Sequence, residues 1–263
     1  MARIDWITFL VYIGVSLPSC LLKAEPIQEQ VGRIKLDWGN MTVRFSGYFK
    51  PDSQNANLSY SESEQRAMSE GLLQAREVLV KIHERELKRQ KVSPELANQS
   101  AVSASDYVTR TTYSYDTAFF KGGGVQVSLE NNLAKVFVRK DLPFRKAFEE
   151  KKGSSNARFD GLILRLDKGI KPVPRYEIVD QSGAVLFSVE SMTREAYEKN
   201  LMGRWFTEPQ REELKYLGPK RVSLQVKVVG SDRLMVQKGA WTDALQDSMQ
   251  VLSEGRIALV IPK

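Results

Sequence analysis

Few side chains in this chain are equipped for chemistry. There is one cysteine, Cys20, and one histidine, His83. A single histidine excludes a zinc site built from two or three imidazoles. His83 stands between Ile82 and Glu84 in helical text, where a surface or half-buried residue is the ordinary reading and a ligand role the exception. No serine occupies a G-x-S-x-G elbow. Gly122-Gly123-Gly124 is not followed by the Lys-Ser/Thr of a phosphate-binding loop and reads as a hairpin connection. The acid pairs Glu149-Glu150 and Glu212-Glu213 lie in charged helical stretches and read as solvated. Two acids brought together by the fold, as in a glycosidase, are the remaining catalytic option. The expectation is a protein that is not an enzyme and uses no cofactor and no metal. Trp205 and Phe206, with Trp241, are either core or loop packing or, beside Arg204, an interface anchor. Trp205 and Phe206 are therefore the candidate interface residues.

Cys20 carries the strongest chemical signal. Met1-Ala2-Arg3 is followed by an apolar run from Trp6 to Leu17, about the length of a secretory h-region and too short to span a bilayer. Leu17-Pro18-Ser19-Cys20 closes it and resembles a bacterial lipobox, which implies a diacylglycerol on the Cys20 thiol and an acyl chain on its amine after cleavage. Several acyl chains together anchor a protein stably where one does not. Two other readings stand beside this one. In an ordinary cleaved signal, cleavage after Ala24 would release a soluble periplasmic protein, and in an uncleaved signal the N-terminus itself would be the anchor. With Cys20 at the boundary, the remaining chain has no cysteine for a disulfide framework.

The 263 residues are 42% hydrophobic and 27% charged, enough for one large domain or two modest ones. The net charge of +7 is scattered over short basic clusters such as Lys88-Arg89-Gln90-Lys91 and Lys220-Arg221. A diffuse positive excess reads first as a solvated surface and secondly as affinity for anionic surfaces. No zinc-finger, RNA-recognition or homeodomain pattern accompanies it, so no nucleic-acid partner is expected.

The elements that must position these residues follow from periodicity. Met41 to Lys50 reads as a strand. A long helix begins at Ser61, with Glu64 at capping-box spacing, and carries a core stripe of Met68, Leu72, Ala75, Leu79 and Ile82 before Ser93-Pro94 ends it. Val102 to Phe120, Val125 to Leu129 and Leu133 to Val138 read as strands. Asp141 to Lys152 fits a short helix, and Gly153-Ser154-Ser155-Asn156 is the best linker. The second half reads as a buried strand at Leu162 to Leu166, strands on either side of a Ser182-Gly183 turn, a helix from Glu190 to Asn200, and an aromatic loop from Gly203 to Pro209. Strands at Val222 to Val229 and Leu234 to Val236, a helix from Ala240 to Ser253 and a strand from Ile257 to Ile261 complete it. The fold class is α+β: two modules of mixed or antiparallel sheet, each packed with helices, after an N-terminal signal segment. The expected boundaries are signal 1–19, tether 20–38, first module 39–140, short helix and linker 141–156, and second module 157–263.

Several phrases in this order resemble a family of small bacterial lipoproteins that includes flagellar outer-membrane ring and flagellar assembly lipoproteins. They are Phe159-Asp160-Gly161-Leu162-Ile163-Leu164, Gly169-Ile170-Lys171-Pro172, Pro174-Arg175, Ile178-Val179-Asp180 and Ser182-Gly183. The tail matches in plan, with a strand ending in a glycine at 224–230, a short strand at 234–236, a helix at 241–252 and a closing apolar strand at 257–261, as does the Ala75-Arg76 helix. The resemblance implies a non-enzymatic protein of the cell envelope, held at the periplasmic face of the outer membrane through lipidated Cys20. It also implies an assembly role, as a homo-oligomer or with other envelope proteins. The alternative is a soluble periplasmic module that binds an anionic polymer or small ligand.

Overall fold

A computed structural model describes residues 25–52, 57–89, 112–138, 142–145, 159–209, 211–237, 239, 241 and 249–263. The fold is α+β, with two sheets. The first is antiparallel and five-stranded, in the order β2-β3-β4-β6-β5. Its strands are β2 (Gln28–Val31), β3 (Ile34–Asp37), β4 (Thr42–Phe49), β5 (Tyr113–Phe119) and β6 (Val125–Asn132). β6 alternates buried and half-buried residues along its length, the pattern of a sheet packed on one face. Helix α1 (Tyr60–Arg89) covers that face with Ala67, Ala75, Leu79 and Ile82. Helix and sheet meet backbone to backbone: a Cβ on Gly47 of β4 would lie 1.7 Å from the Ala67 carbonyl oxygen and 2.6 Å from the Gly71 nitrogen.

The second sheet is mixed and eight-stranded, in the order β1-β10-β13-β7-β11-β12-β8-β9. It comprises β1 (Glu25–Pro26), β7 (Gly161–Leu166), β8 (Glu177–Val179), β9 (Val185–Phe187), β10 (Arg204–Thr207), β11 (Arg221–Val228), β12 (Arg233–Met235) and β13 (Ile257–Ile261). β10, β13, β7 and β11 run parallel to one another. Helices α3 (Arg194–Asn200) and α4 (Met249–Ser253) belong to this half, and the short α2 (Leu133–Val136) follows β6. All five residues of β13 and all but Arg165 of β7 are buried, as parallel strands covered on both sides require. Leu162, Leu164, Trp205 and Leu259 join the main core. Ile163, Phe206, Ala258 and Val260 face the other way, under Leu214 and Leu217.

Several expectations are corrected. Residues 25–37, within the expected tether, form strands: β2 and β3 make a hairpin with Ile34 and Leu36 buried, and Pro26 pairs with Phe206. Alternation over a few polar residues is a weak signal, and pairing decides such a segment. Leu133 to Val138 is not a strand. Asn132 Oδ1 accepts from the Lys135 amide at 3.1 Å, caps a helical turn, and lets Leu133, Ala134 and Val136 all be buried. Gly203 to Pro209 is not a loop, since it contains β10. The capping box of α1 is Ser59 with Glu62, two residues before the expected pair. The Ser59 amide and hydroxyl donate to the Glu62 carboxylate at 2.8 and 2.7 Å, and the Glu62 amide donates to Ser59 Oγ at 3.2 Å. Leu142 to Arg145 is not helical, Arg145 forming a parallel bridge with Thr193, while the rest of the expected 141–152 helix, the 153–156 linker and 90–111 lie outside the described residues.

The two halves share one core. Trp38, at the end of β3, is fully buried. Its ring stacks on Phe137 at 5.8 Å, and its carbonyl accepts from the Trp205 amide at 3.1 Å. Asp37 fixes the turn that aims Trp38 there, accepting from Gly39, from the Asn40 amide and side chain, and from Gln28. Phe144 packs on Tyr197 of α3 at 5.3 Å.

Candidate functional site

Cys20 lies outside the described residues. Trp205 is 0% exposed and Phe206 2%, so neither presents an interface anchor. Neighbours in a strand point to opposite faces, and both faces of this sheet are covered. Trp241 is buried too, and Tyr176 meets Trp205 edge to face at 6.2 Å. His83 is buried in α1, its ring stacked on Phe137 at 6.2 Å. Gly122 and Gly123, both at positive φ, turn the β5–β6 hairpin, with the Phe120 amide donating to the Gly124 carbonyl at 2.8 Å. Among the described residues, no three His, Cys, Asp or Glu gather as a metal site, and no helix is long and apolar enough to cross a membrane.

Two features carry surface chemistry. The first is at the far end of the five-stranded sheet. Register places Thr42 opposite Asn132 at the end next to the second sheet, and Phe49 opposite Val125 at the other. Around that distal end Tyr48, Tyr60, Phe119 and Phe120 are 45%, 76%, 54% and 47% exposed. Tyr60 meets Phe119 edge to face at 5.3 Å, and Tyr48 meets Phe120 at 6.1 Å. Gly124 admits the Tyr48 ring, because a Cβ there would stand 2.6 Å from its hydroxyl. A cleft of about 500 Å³ opens beside the rings, between Pro51, Leu58, Tyr60 and the Gly122-Gly123 turn. Ring pairs at the surface cost contact with water and are the usual material of binding sites. The sequence held a partial signal for this tip in Phe119-Phe120 just before a triple glycine, but only pairing of β4 with β6 brings Tyr48 to Phe120.

The second is a cleft of about 390 Å³ at the start of β10 and β13, lined by Lys199 and Asn200 of α3, Arg204, Tyr216 and Arg256. Arg204 Nε and Nη2 both donate to Asn200 Oδ1, at 3.0 and 2.8 Å, and the guanidinium lies 4.4 Å over the Tyr216 ring. Tyr216 in turn donates its hydroxyl to the Ile257 carbonyl at 2.7 Å. Burial pushes the Tyr216 hydroxyl well above the usual phenol range, so it stays protonated and serves as a platform. Burial lowers the Arg204 pKa from its usual value, partly offset by Tyr216. A ring face offers about 0.5–2 kcal/mol to a cation, while removing a charge from water costs several.

No family model matches the chain, and no curated protein is significantly similar to it.

Proposed function

We propose that this chain is a non-enzymatic protein of the bacterial cell envelope, held at the outer membrane through lipidated Cys20, that assembles with copies of itself through the aromatic tip. The observation that carries the reading is the exposed Tyr48, Tyr60, Phe119 and Phe120 at the end of the chain opposite its N-terminal strand. Five residues of chain from Cys20 to Glu25 reach at most about 17 Å. β1 is paired at the junction of the two sheets. The eight residues of β4 carry the tip roughly 27 Å further. An anchor at Cys20 thus holds the junction near the lipid and leaves the tip facing outward. A second copy is the favoured partner because protruding rings and a cleft lie side by side, the knob-and-pocket arrangement a self-complementary contact needs. The flagellar role implied by the resemblance is one such assembly.

Two measurements test the proposal. Growth with a radioactive fatty acid labels the wild type, and Cys20→Ala abolishes the label; an unlabelled wild type contradicts the anchor. In sedimentation velocity the wild type associates with rising concentration, and a Tyr60→Ser/Phe120→Ser variant stays monomeric. A wild type that stays monomeric contradicts the tip as an assembly surface.

A further inference from the structure

Arg204 in this cleft is a cation that pairs with no anion among the described residues. Arg204 is half-buried, and its described partners are a neutral amide, Asn200, and the face of a neutral ring, Tyr216. Neither cancels its charge. Both bonds to Asn200 use the Nε–Nη2 side of the guanidinium, so its outer edge, Nη1 with the second hydrogen of Nη2, is uncommitted among the described residues. That edge is the planar fork that grips an oxyanion with two parallel hydrogen bonds. The orientation is built: Asn200 closes α3, Tyr216 is pinned to the Ile257 carbonyl, and the guanidinium is clamped between them. Lys199 and Arg256 line the same cleft. Of its two acids, Glu254 is already taken by Arg256 at 2.9 Å, and Glu195 forms no ion pair with Arg204. Alternation along the strands explains the gathering. Arg204 and Phe206 share one face of β10, Arg204 pairs with Ala258 of β13, and Arg256 stands just before β13, two residues ahead of Ala258.

We infer that this cleft is a binding site for an oxyanion, a carboxylate or a phosphate group, gripped by the outer edge of Arg204 with Lys199 as a flanking charge. The site lies in the eight-stranded sheet and is separate from the aromatic tip, so a variant in one leaves the other intact. The ligand bearing the anion is a small molecule or the exposed end of a polymer, since the cleft is open and about 390 Å³ in volume.

The test titrates the full-length protein with inorganic phosphate and, separately, with malonate. It follows heat by calorimetry and the Arg204 Nε signal by nitrogen-15 resonance. Saturable one-to-one binding of either anion with a shift at Arg204 Nε is expected. Phosphate alone marks a phosphorylated ligand, and malonate alone a carboxylate ligand. Arg204→Gln weakens binding at least about tenfold, the scale of one lost pair of charge-assisted bonds. Lys199→Gln, at the rim of the cleft, weakens it about twofold and keeps the test valid if the Arg204 variant does not fold. Arg44→Gln, in the other sheet, leaves binding unchanged. Binding of neither anion, no shift at Arg204 Nε, or equal weakening by Arg44→Gln overturns the assignment.

Discussion

At the scale of single residues, small displacements decide which side chain does a job. Ser61 and Glu64 have the spacing of a capping box, but so do Ser59 and Glu62, and the structure uses the earlier pair. Spacing alone cannot separate two overlapping boxes, because the choice depends on where the chain leaves Pro51 and turns into the helix. Ser59→Ala is expected to cost about 1 kcal/mol and Ser61→Ala much less, read from urea unfolding; equal losses would return the cap to Ser61. Bonds from Ser59 hold the Glu62 carboxyl below its usual 4.5. A depressed pKa gives stability that is present above the unfolded value and lost as pH falls through the folded one. The stability gap between wild type and Glu62→Gln is therefore open at neutral pH and closes in acid, below about 4.5. Trp205 and Phe206 teach a related lesson. A tryptophan and a phenylalanine beside an arginine fit an interface and a two-faced core equally well, and only the cover over the second face, from Leu214 and Leu217, selects the core.

At the scale of elements, the apolar runs were the legible part. Leu162 to Leu166, interrupted only by Arg165, and the continuous Ile257 to Ile261 are both central strands. The stripe through Ala75, Leu79 and Ile82 identified the face of α1 that is buried. Short elements whose identity depends on partners were not legible. The β2–β3 hairpin reads as a polar tether until Trp38 is seen to anchor it, and Leu133 to Val136 reads as a strand until Asn132 caps it. The close approach of α1 to β4 was equally hidden, because a glycine in a strand and a glycine in a helix carry no sign that they touch. Gly47→Ala is expected to overpack that contact by about 1–3 kcal/mol, lowering the melting temperature by about 2–12 °C in a chain of this size. An unchanged melting temperature would mean that helix and sheet are not seated on those glycines.

For the whole molecule, the α+β class was legible from the order of helix and strand patterns, and the shared core was not. Two sheets with their own helices suggest two cores, yet Trp38, Phe137 and Trp205 join them into one. The consequence is directional. The N-terminal strand is tied to the junction, the five-stranded sheet extends from it, and the exposed rings stand at its distal end. Neither surface feature could be assembled by reading along the chain, since Tyr48, Tyr60 and Phe120 come from separated segments, as do Arg204, Tyr216 and Arg256. The central claim is that the aromatic tip joins one copy to another in the envelope. A photo-crosslinking amino acid placed at position 120 and irradiated in living cells tests it most directly. The account predicts a cross-linked product of twice the protein's mass that contains only this chain and disappears with Tyr60→Ser. Irradiation that yields only the uncross-linked monomer would contradict it, as would a cross-link to lipid.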